Sequence, residues 1–294
     1  MTPTATTDPT GTLNLVALYV PGDRPARFDK ALAAPADVVI LDLEDAVAAT
    51  GKDDARAAVR DWLTALPPAS RARVSVRINA IGTPAGDADL AALAGVTRLH
   101  SVRIPKVESP ADIARVVAAL GPVPVHALLE SAAGVEAAAA IARAPQVAAL
   151  ALGEADLRSD LGVTADAGLT WSRSRVVVAA RAAGLPAPMM SAWTDLTDTD
   201  GLVASCRTGR AMGFLGRTAI HPKQIEPILA GFAPSTEEVA AAEDLLDSLA
   251  TAEAGGRAVT VTTAGRMVDP AMVRGAQRTL TVHARVRQRL DNPS

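Results

Sequence analysis

VPVHALLESAAGVEAAAAIARAPQVAALALG, residues 123–153, is the stretch whose reading decides the fold. A β-rich apolar run at 123–130 ends on Glu130, an Ala-rich periodic segment occupies 134–144, and a second apolar run at 147–153 ends on Gly153. Neither run alternates cleanly between apolar and polar residues. That is the pattern of parallel strands covered on both faces and joined by a crossover helix. The same unit repeats in both directions. Strands are predicted at 14–20, 37–44, 73–79 and 99–105 before it, and at 186–193 and 216–221 after it. Helices are predicted near 52–66, 110–120, 171–184 and 199–212. Eight strand runs with no break in composition predict an α/β protein built as a closed (β/α)8 TIM barrel.

The predicted domains follow from the ends of this repeat. Residues 1–11 read as a flexible tail, 12–232 as the barrel catalytic domain, and 233–294 as a C-terminal helical extension and active-site lid. In the extension Ser235, with Glu238 three residues later, opens a helix, and a β run at 258–262 precedes AGRMVDP and a basic final helix.

Composition narrows the chemistry. Aromatics make up 2% of the 294 residues, and 29 Lys+Arg stand against 32 Asp+Glu, so neither base stacking nor a general basic surface for nucleic acid is available. Cys206 is the only cysteine and reads as a small buried hydrophobe, which excludes an internal disulfide and any multi-cysteine metal site. With no basic-then-apolar start and no apolar stretch long enough to span a bilayer, a cytoplasmic protein without membrane contact is expected. The turn YVPGDRP lacks GxGxxG, and GxxxxGK[ST], HExxH and GxSxG are all missing. These absences count against a dinucleotide fold, a zinc hydrolase and a serine esterase.

Charged residues gather where strands end, which is where a barrel builds its site. Asp42, Glu44 and Asp45 close the second strand, Arg77 and Asn79 the third, Lys106 follows the fourth and Glu130 ends the fifth. Asp156 follows Gly153 after the sixth. A single such residue is as well explained by a solvated strand end; the recurrence over successive strands favours one shared site. Glu130 and Asp156 are the metal candidates, because hard cations such as Mg2+ take carboxylate oxygens and keep positions for substrate and water. Arg77 suits an enolate or carboxylate oxygen, or a salt bridge to Asp42 or Glu44, or both. Arg24, Arg27 and Lys30, beside Gly22, would suit a phosphate-bearing ligand or a solvated helix face. His221, in HPKQ, reads as structural.

In order and spacing, VPGDRPARFDKAL, DVVILDLEDAV, KDDAR, VRIN, IPKVES, LLESAAGV, LALGEADLRSDLG, AMGFLGRTAIHPKQI and AGRMVDP resemble the HpcH/HpaI aldolase/citrate lyase family. The likeness is to its citrate lyase beta subunit-like branch, which includes malyl-CoA and citramalyl-CoA lyases. The resemblance implies a (β/α)8 barrel assembled as a trimer or hexamer. It implies Mg2+ (or Mn2+) on Glu130 and Asp156, and Arg77 beside the thioester and keto-acid oxygens. Asp42, Glu44 and Asp45 become a supporting acidic cluster, and Arg24 and Lys30 contacts for CoA. The backbone from Gly153 through Ala155 to Asp156 becomes the cradle of the keto-acid carboxylate. Asp269 becomes a lid acid/base, in its own or a neighbouring subunit.

The implied reaction is cleavage of a 3-hydroxyacyl-CoA to an acyl-CoA and a 2-oxo acid. The alternatives are a thioesterase for such an ester, a citrate lyase beta subunit acting with partner subunits on an acyl-carrier-bound citryl thioester, and a non-catalytic binder of CoA metabolites. One departure stands out. Met190 occupies the place where the family commonly has an aspartate after the seventh strand, which bears on substrate choice more than on the metal.

Overall fold

The computed structural model describes residues 13–67, 74–97, 99–254, 261, 268 and 270–291. They fall into two compact units, one ending at Gly231 and the other beginning at Phe232. The first contains seven strands: β1 (Val16–Pro21), β2 (Val38–Asp42), β3 (Val74–Arg77), β4 (Ser101–Ile104), β5 (Val125–Leu129), β6 (Val147–Leu152) and β7 (Arg217–Ala219). They form one parallel sheet in the order β6-β5-β4-β3-β2-β1-β7, curled into a half-barrel. Registers align the strand ends. Pro21 lies opposite Asp42, Asp42 opposite Arg77, and Arg77 opposite Arg103, so charged residues of neighbouring strands share one rim.

The strand predicted at 186–193 is the exception. Only two residues there pair with the sheet, Met189 with Ala151 of β6 and Met190 with Arg217 of β7, each through an isolated parallel bridge. Pro186 and Pro188 explain the reduction, since each removes an N–H that a ladder would need.

Helices cover the sheet: α1 (Phe28–Leu32), α2 (Lys52–Ala65), α3 (Pro84–Leu93), α4 (Pro110–Leu120), α5 (Ala132–Glu136), α6 (Ala138–Ile141), α7 (Glu154–Leu161), α8 (Thr170–Ala182), α9 (Thr199–Ala211) and α10 (Ile225–Phe232). The one helix predicted over 134–144 is two short ones, α5 and α6, and α1, α3, α7 and α10 lie outside the predicted ranges. Helix α4 shows how local sequence sets an element. Ser109 and Asp112 form a capping box, Pro110 takes the first turn, and Gly121 ends the helix at φ 77°. Its inner face buries Ile113 and Val116.

Strand β2 is buried along its whole length. Full burial of side chains such as Ile40 and Leu41 contributes about 1.5–3 kcal/mol each. Two polar networks brace the frame. Asp37 accepts the N–H groups of Leu15 (2.7 Å) and Val16 (2.9 Å) where β1 begins. Fully buried Asp89 accepts from Arg56 Nε (2.6 Å) and from the backbone and side-chain nitrogens of Asn79 (both 2.7 Å).

The second unit holds α11 (Thr236–Ala254) and α12 (Pro270–Asp291), which pack through Ala242, Leu245 and Ala276. Ser235 and Glu238 make the expected reciprocal cap, at 2.8 and 3.2 Å. Of the β run predicted at 258–262 only Val261 is described, as a bridge residue. Asp269 lies outside the described residues. Among the described residues no helix is long and apolar enough to cross a membrane.

Candidate active site

The rim at the C-terminal ends of β2 and β3 is organised by Arg77. Its Nε and Nη2 donate to the two oxygens of Asp42 at 2.7 and 2.6 Å, a side-on pair that fixes the plane of the guanidinium. Nη1 reaches Asp45 Oδ2 at 3.0 Å and Glu44 Oε2 at 2.8 Å. The Tyr19 ring lies beneath, 4.9 Å from the guanidinium carbon. Burial opposes the Arg77 charge, but Asp42 and its neighbours outweigh it and raise the pKa above the usual arginine value. Asp42 is fully committed, because it also accepts the N–H groups of Glu44 (2.9 Å) and Ala46 (3.2 Å). Lys52 locks the acidic loop from below by donating to the carbonyls of Leu43 (2.8 Å) and Glu44 (3.0 Å).

Glu130 follows β5 and is buried. Its Oε1 accepts the backbone N–H of Lys106 at 2.8 Å, and Lys106 itself has a left-handed φ of 53°. Its other side lies against Gly153. A Cβ there would stand 2.6 Å from Glu130 Cβ and closer still to Oε2, so only glycine fits. Burial pushes the Glu130 carboxyl up to about 8; the Glu44 and Asp156 charges add to this and the Lys106 N–H works against it. Glu44 is pushed up to about 7 by burial, against the pull of Arg77. Lys106 Nζ stands 3.6 Å from Glu44. Burial disfavours its charge, yet Glu44, Asp156 and Glu130 raise its pKa.

This surplus of negative charge is what a divalent cation would neutralise. Glu130 and Asp156 interact electrostatically across the rim and supply hard oxygen donors. Among the described residues no group of three or more His, Cys, Asp or Glu forms a self-sufficient metal site. Two carboxylates with open positions fit a Mg2+ that keeps water or substrate oxygens as further ligands.

Asp156 sits in the first turn of α7, where an acidic side chain is favoured by the helix dipole. Sequence reasoning missed what holds this turn. Arg173 of α8 takes both oxygens of Glu154 (2.8 and 2.7 Å) and both of Asp166 (2.7 and 2.8 Å). Ser191 donates to Leu152 O at 2.5 Å and accepts from Glu154 N at 3.3 Å, tying the 189–191 segment to the end of β6. The signal was present in GEADLR and SRSR, but charges on helices read as solvated faces until tertiary contacts are known.

Tyr19, Arg77, Glu130, Gly153, Ala155 and Asp156 all line one cavity of about 660 Å3. The predicted residues Arg77, Asp42, Glu130, Gly153, Ala155 and Asp156 all line it, and Glu44 joins them through its ion pair with Arg77. Asn79 is instead spent on Asp89 and on Leu43 O, at 2.8 Å. Arg24 and Lys30 are exposed at the β1–α1 junction, with Arg24 3.5 Å from Asp23. His221 Nδ1 accepts the N–H of Lys223 at 3.1 Å, at the start of the turn that leads into α10. Cys206 is a buried thiol, pushed by burial to about 11.

Residues 15–222 match the family described as HpcH/HpaI aldolase/citrate lyase. A (3S)-malyl-CoA thioesterase of Cereibacter sphaeroides is 36% identical over 270 residues, covering 90% of this chain and 92% of its own. An L-malyl-CoA/beta-methylmalyl-CoA lyase of the same species is 35% identical over 298 residues, with the same coverage of 90% and 92%. Among solved structures, the CitE protein of Mycobacterium tuberculosis in complex with magnesium, acetoacetate and coenzyme A superposes with a TM-score of 0.79. It is 36% identical and covers 93% of this chain and 99% of its own.

Proposed function

The chain belongs to the HpcH/HpaI aldolase/citrate lyase family, and we propose from its site that it is a Mg2+-dependent carbon–carbon lyase acting on a CoA thioester. The substrate is a 3-hydroxyacyl-CoA of the malyl-CoA or citramalyl-CoA type, and the products are an acyl-CoA and a 2-oxo acid. The observation that carries this reading is the placement of Glu130, Asp156 and an anchored Arg77 around one cavity. Met189 and Met190 stand in this reading for the missing strand that closes a (β/α)8 barrel. Residues 12–232 are assigned in this reading as the catalytic domain and residues 233–294 as a C-terminal extension with a lid role.

Glu130 and Asp156 would hold the Mg2+. When bound, Mg2+ supplies Lewis-acid stabilisation of alkoxide and carboxylate oxygens. The remaining work belongs to the chain. Backbone N–H groups of the first turn of α7, from Ala155 to Asp156, have no helical acceptor and can hold the keto-acid carboxylate. A base takes the substrate hydroxyl proton, and the O–H electron pair becomes the carbonyl bond of the departing 2-oxo acid. The electrons of the broken C–C bond pass into the thioester as an enolate, whose negative charge the Arg77 guanidinium offsets. The enolate carbon then takes a proton. Asp42 holds the Arg77 guanidinium in plane, and Glu44 and Lys106 set the charge around it. Asp269, from its own or a neighbouring subunit of a trimer or hexamer, is assigned as the proton donor and acceptor. Arg24 and Lys30, exposed beside β1, are assigned to the phosphates of CoA.

A thioesterase reading has specific support, since a relative 36% identical to this chain is a (3S)-malyl-CoA thioesterase and the lyase relative is 35% identical. Product analysis separates the two. Purified protein with Mg2+ and a panel of malyl-, citramalyl- and methylmalyl-CoA should release a 2-oxo acid and an acyl-CoA, and EDTA should stop the release. Free CoA with intact hydroxy acid would overturn the lyase reading in favour of hydrolysis. Asp269→Asn should suppress turnover while leaving Mg2+ binding in place; full turnover would remove that residue from the mechanism.

A further inference from the structure

The same cavity has a second wall that the mechanism above leaves unused. Arg217, the first residue of β7, is 3% exposed and lines the cavity with Met190, Trp193 and Ser205. Its Nη2 donates to Ser205 Oγ at 2.8 Å and lies 3.1 Å from Met190 Sδ, and its guanidinium carbon stands 5.7 Å from the Trp193 ring centre. None of these neighbours is charged. The buried Nε of Arg217 and the buried Nε1 of Trp193 have no hydrogen-bond partner among the described residues.

Arg103, 4% exposed on the same cavity, shares this state in part: its Nη1 donates to the Tyr19 hydroxyl at 3.1 Å and its buried Nε has no partner among the described residues. Three other arginines of the interior are held by acids. Arg77 is held by Asp42, Glu44 and Asp45, Arg173 by Glu154 and Asp166, and Arg56 by Asp89 and Asp53. The acid that bears on Arg217 is Glu154, and both its oxygens are already taken by Arg173. Cys206, beside it, is a neutral thiol at pH 7 and brings no counter-charge. A buried cation with open donors and no counter-ion is expensive to keep unless an anion comes to it.

We propose that Arg217 and Trp193 form a second anion subsite, and that it is filled by a further carboxylate on the 2-oxo acid half of the substrate. The Arg217 guanidinium supplies the charge and the Trp193 indole N–H a further donor on the same wall. The subsite adjoins the loop assigned to that half of the substrate, because Ser191 joins the Met190 segment to Glu154. The inference rests on the lyase reading and shifts its substrate: malyl- and citramalyl-CoA release glyoxylate and pyruvate, whereas the favoured thioester carries a further carboxylate on that half and releases a 2-oxo dicarboxylate.

Met190 supplies the sharpest test. Its side chain is wedged against Gly209, where a Cβ would come within 2.6 Å of Met190 Cε, so Sδ is held beneath the guanidinium. In Met190→Asp a carboxylate oxygen stands the same number of bonds from Cα as that sulfur, and Arg217 gains an internal counter-ion. Calorimetric titration with Mg2+ present would compare dicarboxylic 2-oxo acids with 2-oxo acids of equal length that lack the second carboxylate. Charge-assisted hydrogen bonds of this kind should favour the dicarboxylates about 10- to 100-fold in the wild type. That preference should collapse towards one in Met190→Asp and in Arg217→Met, and shrink severalfold in Trp193→Phe. A wild-type ratio near one, or a ratio unchanged in Met190→Asp, overturns the subsite while leaving the lyase reading intact. Failure of every 2-oxo acid to bind with Mg2+ overturns the parent reading and this one together.

Discussion

Replacing Gly153 by alanine puts a methyl group where Glu130 already stands. The new Cβ would lie 2.6 Å from Glu130 Cβ and 3.0 Å from its Cδ. Carbon atoms without a bond between them prefer about 3.5–4.0 Å, so the deficit at Glu130 Cβ is about 1 Å. Turning the carboxylate cannot relieve it, since Cβ is fixed to the backbone. Either β5 and β6 part at the Gly153 N–Leu129 O bond of 3.0 Å, or Glu130 swings away and gives up the Lys106 N–H at 2.8 Å. Overpacking of this size costs about 1–3 kcal/mol of stability. Misplacing a metal ligand by loss of its support costs about 10- to 100-fold in affinity.

The assay is thermal unfolding with and without Mg2+ at 100 times the wild-type Kd. Binding then adds about 2.7 kcal/mol to the wild type, and an affinity about 30-fold weaker leaves about 0.9 kcal/mol. At about 2–4 °C per kcal/mol, the Mg2+-induced rise in Tm falls from about 5–10 °C to about 2–4 °C. Asp156→Ala should lose most of the rise and so ties the effect to this site. A folded Gly153→Ala protein with the full wild-type rise would refute the reasoning.

Three further outcomes are expected. Mg2+ affinity should fall as pH drops through about 8, by about tenfold per unit below it, because Glu130 with a pKa of about 8 is protonated there and the proton competes with the cation. Titration in buffers of different ionisation enthalpy should show nearly one proton released at pH 7; none released would contradict the shift. Arg77→Lys replaces a planar fork on Asp42 with a point charge, and should lower kcat by about 10²- to 10³-fold while changing the Mg2+ Kd little. Equal losses in both would mean that Arg77 only supports the metal carboxylates. Arg173→Gln leaves Glu154 without its cation and loosens the turn that carries Asp156. About 1–3 kcal/mol of stability and about tenfold in Mg2+ affinity should be lost, and unchanged unfolding midpoints would remove the brace.

The frame was legible because each strand carries its own signal. VVILD at 38–42 and VAALAL at 147–152 are apolar on both faces, which only a covered parallel sheet satisfies. The 186–193 run misled because Met189 and Met190 are apolar enough for a strand while Pro186 and Pro188 deny it a ladder. Periodicity registers hydrophobicity and is blind to missing donors. Helix α7 was missed for the opposite reason. GEADLRSDLG has one buried apolar residue, Leu157, so no stripe announces the helix. Its start is instead held from outside by Arg173 and Ser191.

The site divides along the same line. Arg77 and the acids of β2 lie in neighbouring strand ends, and the registers that pair them follow from strand order, so their meeting could be expected from the sequence. Asn79 stood in the same pattern yet went to Asp89, because a buried carboxylate ten residues on outbid the solvent for its N–H groups. Arg217 could not be read at all. In GRTAIH it looks like the polar start of a last strand, and nothing local says that its neighbours will be a thioether, a thiol and an indole. An arginine's partners are a property of the fold, and only the fold reveals when the counter-ion is missing. The residue at position 190 decides the matter: an acid there would neutralise Arg217 from within, whereas Met190 leaves the charge to be answered by what enters the cavity.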